Sequence, residues 1–284
     1  MNATHRLQDV RPSPIAGRWY PADPLRLARS IDDYLERASV PPVNGQLIGV
    51  LAPHAGHRYS GPVAGYAFKA VRGLSVDVVA LVGPSHYPYD APIVATAHDA
   101  YETPLGLVPV DRAALAALQR TLPLRLVRTD PEHSLEIELP FLQRVLAEFR
   151  LIPLALVDQS YALAQQVGQA LAELLAGQKA LLVASSDLSH FYPQNIARRL
   201  DQTVLDAVAR FDPAEVIAAE EKGTGFACGR GAIAAVMIAA RQLGADSAQI
   251  VGYATSGDVT GDTSQVVGYG AALFYRRDAG LANA

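Results

Sequence analysis

The chain is short of charge, of cysteine and of long apolar runs, and each shortage closes off a class of protein. Only 18% of its 284 residues are charged, the formal net charge is −4, and no basic run stands out. A general nucleic-acid binder needs clustered Lys and Arg, so no nucleic-acid partner is expected. The single cysteine, Cys228, cannot form an internal disulfide, which fits a protein of the reducing cytoplasm. The longest apolar stretch, residues 232–240, falls far below the roughly 18 residues of a membrane span, so no membrane partner is expected either. The first residues, Met-Asn-Ala-Thr-His-Arg-Leu-Gln, lack the apolar core of a signal peptide. Also missing are a linker rich in Pro, Gly or Ser and any repeat of 20–50 residues, which predicts one domain over residues 11–284 behind a flexible tail, 1–10.

What is present is a large apolar half, enough for a sizeable core. Asp23-Pro24 reads as an N-cap followed by a first-turn proline, ahead of Leu27, Ile31, Tyr34 and Leu35 at helical spacing. Strands are expected at 47–52 and 76–82, with a helix from Pro62 to about Val71 between them as a right-handed βαβ unit. Residues 91–110 read as a hairpin or excursion, and Asp111 as the cap of a helix at 112–120. Beyond a short strand at 124–127, Ser134 opens a capping-box pattern before the stripe Ile137, Phe141, Leu142 and Val145. Strands at 151–157 and 179–185 alternate with a helix at 161–175; helices near 194–210, 213–221 and 230–243 and strands at 248–255 and 265–275 finish the chain. This alternation predicts an α/β fold, a mostly parallel central sheet with helices on both faces.

Three of the apolar runs deliver a histidine just past their C-terminal ends. Residues 47–52 lead to His54, with His57 and Tyr59 in the same loop; 76–83 lead to Ser85 and His86; 180–185 lead to Asp187 and His190. Ligands of parallel α/β sheets collect at these carboxyl ends. His133 stands at a helix start within Glu132-His-Ser-Leu-Glu136. Neutral imidazole is the commonest metal ligand and titrates near neutral pH. Two histidines and one anionic ligand suit non-haem Fe(II), catalytic zinc or copper, the anion being Asp187, Glu132, Glu136 or Cys228. Cys228 sits in the glycine-rich stretch 223–229 before a helix, whose N-terminus favours a thiolate. His57 is expected at the rim of the site or supporting it, and His5 and His98 outside it.

Three other patterns do not hold up. Gly229-Arg-Gly-Ala-Ile-Ala234 follows no strand, as a dinucleotide fingerprint must. Residues 256–262 lack the twelfth-position glutamate of a calcium loop and read as a tight turn. Ser185 and Ser186 lack the Gly-x-Ser-x-Gly elbow of a serine hydrolase.

Several stretches taken together resemble the Memo family, whose prokaryotic members are called AmmeMemoRadiSam system protein B. They are Ala16-Gly-Arg-Trp-Tyr-Pro21, Ala52-Pro-His-Ala-Gly-His-Arg-Tyr-Ser-Gly61, Gly83-Pro-Ser-His86, Glu102-Thr-Pro-Leu-Gly106, Glu132-His-Ser-Leu-Glu-Ile-Glu-Leu-Pro-Phe-Leu-Gln143, Ser185-Ser-Asp-Leu-Ser-His190 and Cys228-Gly229. The resemblance runs from about residue 15 to residue 275. It implies a fold similar to LigB-type class III extradiol dioxygenases, which open catechol rings with non-haem iron. By position, His54 and His86 look like the metal-binding histidines and His190 like the acid/base histidine. Cys228 stands where those dioxygenases use a carboxylate, and the resemblance implies iron or copper held by two His and this Cys. AMMECR-type and radical-SAM proteins are the partners it implies.

Three functions follow as expectations. One is a metal-dependent oxidoreductase acting on an unknown small molecule, with one Fe(II), copper or zinc ion on His54, His86 and Cys228. In it His190, oriented by Asp187 or a backbone group, moves a proton, His133 holds substrate or an oxyanion, and His57, Tyr59 and Ser85 line the substrate pocket. The others are a metal-binding regulatory or adaptor protein without turnover and a zinc hydrolase.

Overall fold

The computed structural model describes residues 9–278; residues 1–8, His5 among them, and 279–284 lie outside the described residues. From β1 (Val10–Arg11) the chain runs through α1 (Pro24–Arg37), β2 (Gly45–Ala52), α2 (His57–Val71) and β3 (Val78–Pro84). The expected excursion contains β4 (Ile93–Thr96) and the antiparallel pair β5 (Ala100–Thr103) and β6 (Gly106–Pro109). Next come α3 (Arg112–Leu118), β7 (Leu124–Val127), a 3-10 turn (Glu136–Glu138), α4 (Leu139–Val145), β8 (Arg150–Leu156), α5 (Tyr161–Leu175) and β9 (Ala180–Ser185). The remainder is β10 (His190–Tyr192), α6 (Gln194–Ala209), α7 (Pro213–Glu221), α8 (Arg230–Gln242), β11 (Ser247–Thr255), α9 (Ser256–Thr260) and β12 (Val266–Arg277).

The caps read from the sequence form as hydrogen bonds. Asp23 Oδ1 accepts the Arg26 N–H at 2.8 Å and Asp111 Oδ1 the Ala114 N–H at 2.9 Å. Three details differ from the sequence reading. Helix α2 starts at His57, five residues before Pro62, and accepts the loss of one backbone bond there. A Cβ at Gly65 would stand 2.7 Å from the Tyr34 carbonyl, so glycine lets α1 lie directly on α2. Ser134 caps no helix: its Oγ donates to the Pro84 carbonyl at 2.7 Å, tying residues 132–135 to the end of β3. Residues 256–260 form α9, with a Thr255–Asp258 capping box and Gly261 at φ +79° as its stop, in place of a tight turn.

One α/β domain results, built on a large sheet ordered β10-β12-β2-β9-β3-β8-β4-β7, with β11 also on β12. Strands β2, β9, β3 and β8 are parallel and fully buried over most of their length, which is why they read as unbroken apolar runs. The sheet is mixed, however. β12 runs antiparallel to β2, β10 and β11, and β4 runs antiparallel to β8. Helix α8 packs on β2, β3 and β9, and α2 and α6 on β11 and β12. No described helix is long and apolar enough to cross a membrane.

The last two residues of the expected tail are pinned. Val10 pairs with Ala100. Asp9 sits 2.6 Å from His98 Nδ1 and accepts from Arg128 Nη2 at 2.8 Å.

Candidate metal centre

Parallel pairing puts the ends of three central strands side by side. Ala52 of β2 is in register with Ser185 of β9, and Val82 of β3 with Ala184. His54, His86 and Asp187 each lie two residues past their strand's last residue, at one edge of the sheet. Cys228 reaches the same edge from the loop before α8. The Gly229 N–H donates to Ser186 Oγ at 2.9 Å, and a Cβ at Gly229 would stand 2.7 Å from the Ser185 carbonyl. Only glycine permits that approach, and the approach is what carries the thiol to the strand ends.

Nε2 of His54 is 3.1 Å from Cys228 Sγ, and one ring nitrogen of each of His54 and His86 and the sulfur all lie within 4.8 Å of one another. A transition ion with bonds of roughly 2.0–2.3 Å is reached from such a triangle by small side-chain movements. The backing of the rings fits as well. Glu132 Oε1 accepts from His86 Nδ1 at 2.9 Å, which leaves Nε2 as the lone-pair nitrogen. Ser185 Oγ donates to the Ser134 carbonyl at 2.6 Å, so toward His54 Nδ1, 3.0 Å away, it can only accept. His54 therefore carries its proton on Nδ1 and turns Nε2 toward the sulfur. The residues present can hold a single metal ion.

The surroundings keep His54, His133 and Cys228 neutral until an ion arrives. Burial, then the nearby His133 and His86, hold His54 well below the usual histidine range. Burial holds His133 down at about 4. Burial and the neighbouring Asp187 push the Cys228 thiol up, so the helix N-terminus does not by itself make it a thiolate. A bound cation reverses that balance.

The four anionic candidates separate by what they touch. Burial alone would raise Glu132, but hydrogen bonds from the His86 ring and backbone hold it at about 2; it also accepts the His133 and Ser134 N–H groups at 2.9 Å each. Its oxygens are committed to holding the loop. Glu136 is bound by the Arg11 guanidinium, by Ser13 and by Tyr20. Asp187 Oδ1 accepts the N–H groups of His54 at 2.7 Å and Ala55 at 3.2 Å, and burial pushes its carboxyl up to about 7. Cys228 alone points at both histidines.

The other expected site residues spread around this centre. The His133 ring stacks on His86 at 4.5 Å and lies tilted against Trp19 at 4.1 Å. His190, held below its usual value by burial, bonds to the Leu188 backbone rather than to Asp187. It shares with Cys228 a cavity of about 200 Å³, walled also by Leu188, Tyr192, Phe226 and Arg230. None of the three expected pocket residues lines that cavity. His57 is packed between Tyr20 and Phe141 with Nε2 donating to the Ile137 carbonyl at 2.9 Å. Ser85 Oγ donates to the Tyr87 carbonyl at 2.8 Å, and Tyr59 lies with Trp19 and Tyr269 along a separate cleft of about 520 Å³.

The sequence reading gave no role to Arg11 or Arg230. Arg11 is buried, with Nε on Asp130 at 2.7 Å, Nη2 on the Glu132 carbonyl at 2.6 Å, and its guanidinium 4.6 Å from the Tyr101 ring centroid. It thereby braces the loop whose Glu132 holds His86. No local pattern announces a buried arginine, because its partners lie about 120 residues away.

Comparison with known proteins follows this geometry. A family profile described as Memo-like protein matches residues 11–273. A MEMO1 family protein of Nitrosopumilus maritimus is 35% identical over 273 residues, covering 93% of this chain and 99% of the relative. MEMO1 family proteins of Methanopyrus kandleri and Thermotoga maritima are each 35% identical, over 92% of this chain and 98% of theirs. Among solved structures, an uncharacterized protein from Escherichia coli K12 is similar in fold, with a TM-score of 0.50 at 14% identity over 79% of this chain and 99% of that one.

Proposed function

The chain belongs to the Memo-like family, and from that premise we propose that it is a metal-dependent, dioxygenase-like oxidoreductase acting on a small molecule. In this reading His54, His86 and Cys228 hold one transition ion, Fe(II) or copper ahead of zinc. The observation that carries it is the convergence of two imidazole nitrogens and one sulfur from three separate segments. A thiolate is a softer donor than a carboxylate, which suits Cu(I), iron or zinc at this position rather than a hard ion. Bound there, the metal would supply Lewis-acid or redox chemistry beside the substrate.

The chain's own residues have distinct tasks. Glu132 and Ser185 fix the two ligating rings by their Nδ1 atoms. Asp187 fixes the backbone of the His54 loop. His190, neutral and on the cavity wall beside Cys228, takes a proton from the substrate and returns it. His133, held against Trp19, offers a hydrogen bond to a bound oxygen. We further propose a cytoplasmic location, where Cys228 stays reduced, and AMMECR-type and radical-SAM proteins as partners on the family resemblance.

Anaerobic purification followed by loading with Fe(II), Cu(I) or Zn(II) tests the reading. A single ion per chain is expected, lost in His54→Ala and Cys228→Ser, with oxygen uptake when small phenols or thiols are supplied. Protein that stays metal-free after anaerobic loading ends the proposal. Zinc as the only ion retained, with ester turnover and no oxygen uptake, turns it toward hydrolysis.

A further inference from the structure

We propose that Arg230 anchors the carboxylate of a small organic acid in the cavity beside Cys228, and so determines what the metal centre acts on. The inference rests on the metal-centre reading for the cavity's purpose, though not for its chemistry. Drug-sized ligands occupy roughly 300–1,000 Å³. A cavity of about 200 Å³ has room for a compound of about one ring.

The guanidinium is only half used. Arg230 Nη1 donates to Glu220 Oε1 at 2.6 Å, while Nε is buried with no acceptor among the described residues. A buried donor without a partner is costly and points to an acceptor that arrives with a ligand. Arg230 also lines the cavity, and the N–H groups of its guanidinium beyond the one given to Glu220 suit a planar acceptor such as a carboxylate.

The wall also carries Glu220, whose carboxylate is paired with Arg230, and the remainder suits a flat apolar body. Leu188 is fully buried, and the rings of Tyr192 and Phe226 lie 5.9 Å apart. His190 and Tyr192 both line the cavity, and Phe191 between them takes a left-handed conformation, φ +63°, at a shift in the β10–β12 register. That conformation is unfavourable for a bulky side chain, and Phe191 is also 68% exposed. Strain held for no gain in burial marks a place where side-chain direction matters more than stability. With its carboxylate on Arg230, a ring in this cavity lies within the wall that also carries Cys228 and His190.

The test uses benzoate, benzamide and phenyl phosphate as probes on the full chain, metal-free and loaded with Co(II), by calorimetry and by 15N chemical shifts of residues 226–230. Benzoate is expected to bind at least tenfold more tightly than benzamide and than phenyl phosphate. Arg230→Gln is expected to lose at least tenfold in benzoate affinity, and Arg230→Lys less, because a lysine lacks the fork. Arg230→Gln must keep the thiolate-to-Co(II) absorption of the parent, which shows the fold and the metal centre intact. Equal binding of benzamide, tighter binding of phenyl phosphate, no benzoate binding up to about 10 mM, or less than a twofold effect of Arg230→Gln overturns the proposal. If the parent binds benzoate through Arg230 yet takes up no Co(II), the metal reading fails and the carboxylate anchor stands.

Discussion

Glu132 grips His86 twice: Oε2 accepts the backbone N–H at 2.5 Å and Oε1 accepts from ring Nδ1 at 2.9 Å. The same carboxylate accepts the N–H groups of His133 and Ser134, so one side chain fixes both the loop after β3 and the ring it carries. Glu132→Gln replaces one acceptor oxygen by a donor that faces N–H groups. Metal affinity is expected to fall by about 10–100-fold, with the Cys228–metal absorption retained in whatever fraction still binds. An unchanged dissociation constant in a metal titration would refute the role given to Glu132.

Loading the site with metal displaces the proton that burial keeps on Cys228. Near neutral pH about one proton is expected to leave per ion bound. Calorimetry in buffers of different ionisation enthalpy measures this directly. Cys228→Ser should bind weakly and release close to none. Proton release from the variant equal to that of the parent would mean that the displaced proton comes from elsewhere.

His57 makes stability depend on pH in the metal-free protein. Burial holds its imidazole at about 4 when folded, against 6.5 in an unfolded chain. The unfolded state therefore binds a proton that the folded state refuses, and stability falls as pH falls from 6.5 toward 4. His57→Gln, which keeps an N–H for the Ile137 carbonyl, should remove about 2 kcal/mol of the loss between pH 7 and pH 5. Urea unfolding at the two pH values gives the comparison. The same pH loss in variant and parent would assign the effect to other groups.

Arg11→Met leaves Glu136 buried with only the hydroxyls of Ser13 and Tyr20. Removing one partner of a buried pair typically costs about 3–5 kcal/mol, and the lower end is expected because Glu136 can take up a proton. Adding Glu136→Gln should restore part of the loss. A double variant as unstable as the simple sum would show that the two side chains do not act as a pair.

Much of this architecture was legible in advance because burial leaves a local mark. A strand covered on both faces has to be apolar throughout, so β2, β3 and β9 announced themselves, and the histidines two residues past β2 and β3 came with them. Caps such as Asp23 and Asp111 are equally local. The direction of β12 was not legible. Apolar content is the same in either orientation, and the antiparallel return depends on how β11, α9 and β12 fold back together. The burial of His57 was not legible, because polarity in a strand-end loop suggests exposure, whereas α2 begins at that residue and turns the ring into the core.

The sequence by itself determined a single α/β domain of the Memo type and the short set of side chains able to hold a cation, since periodicity, strand ends and residue chemistry are written along the chain. Only the tertiary structure decided which acid does what. Glu132 orients a ring, Glu136 neutralises Arg11, and Asp187 ties down a backbone 133 residues away. The physical reason is that a carboxylate's role is set by the donors that meet it across space, and chain distance carries no record of those meetings.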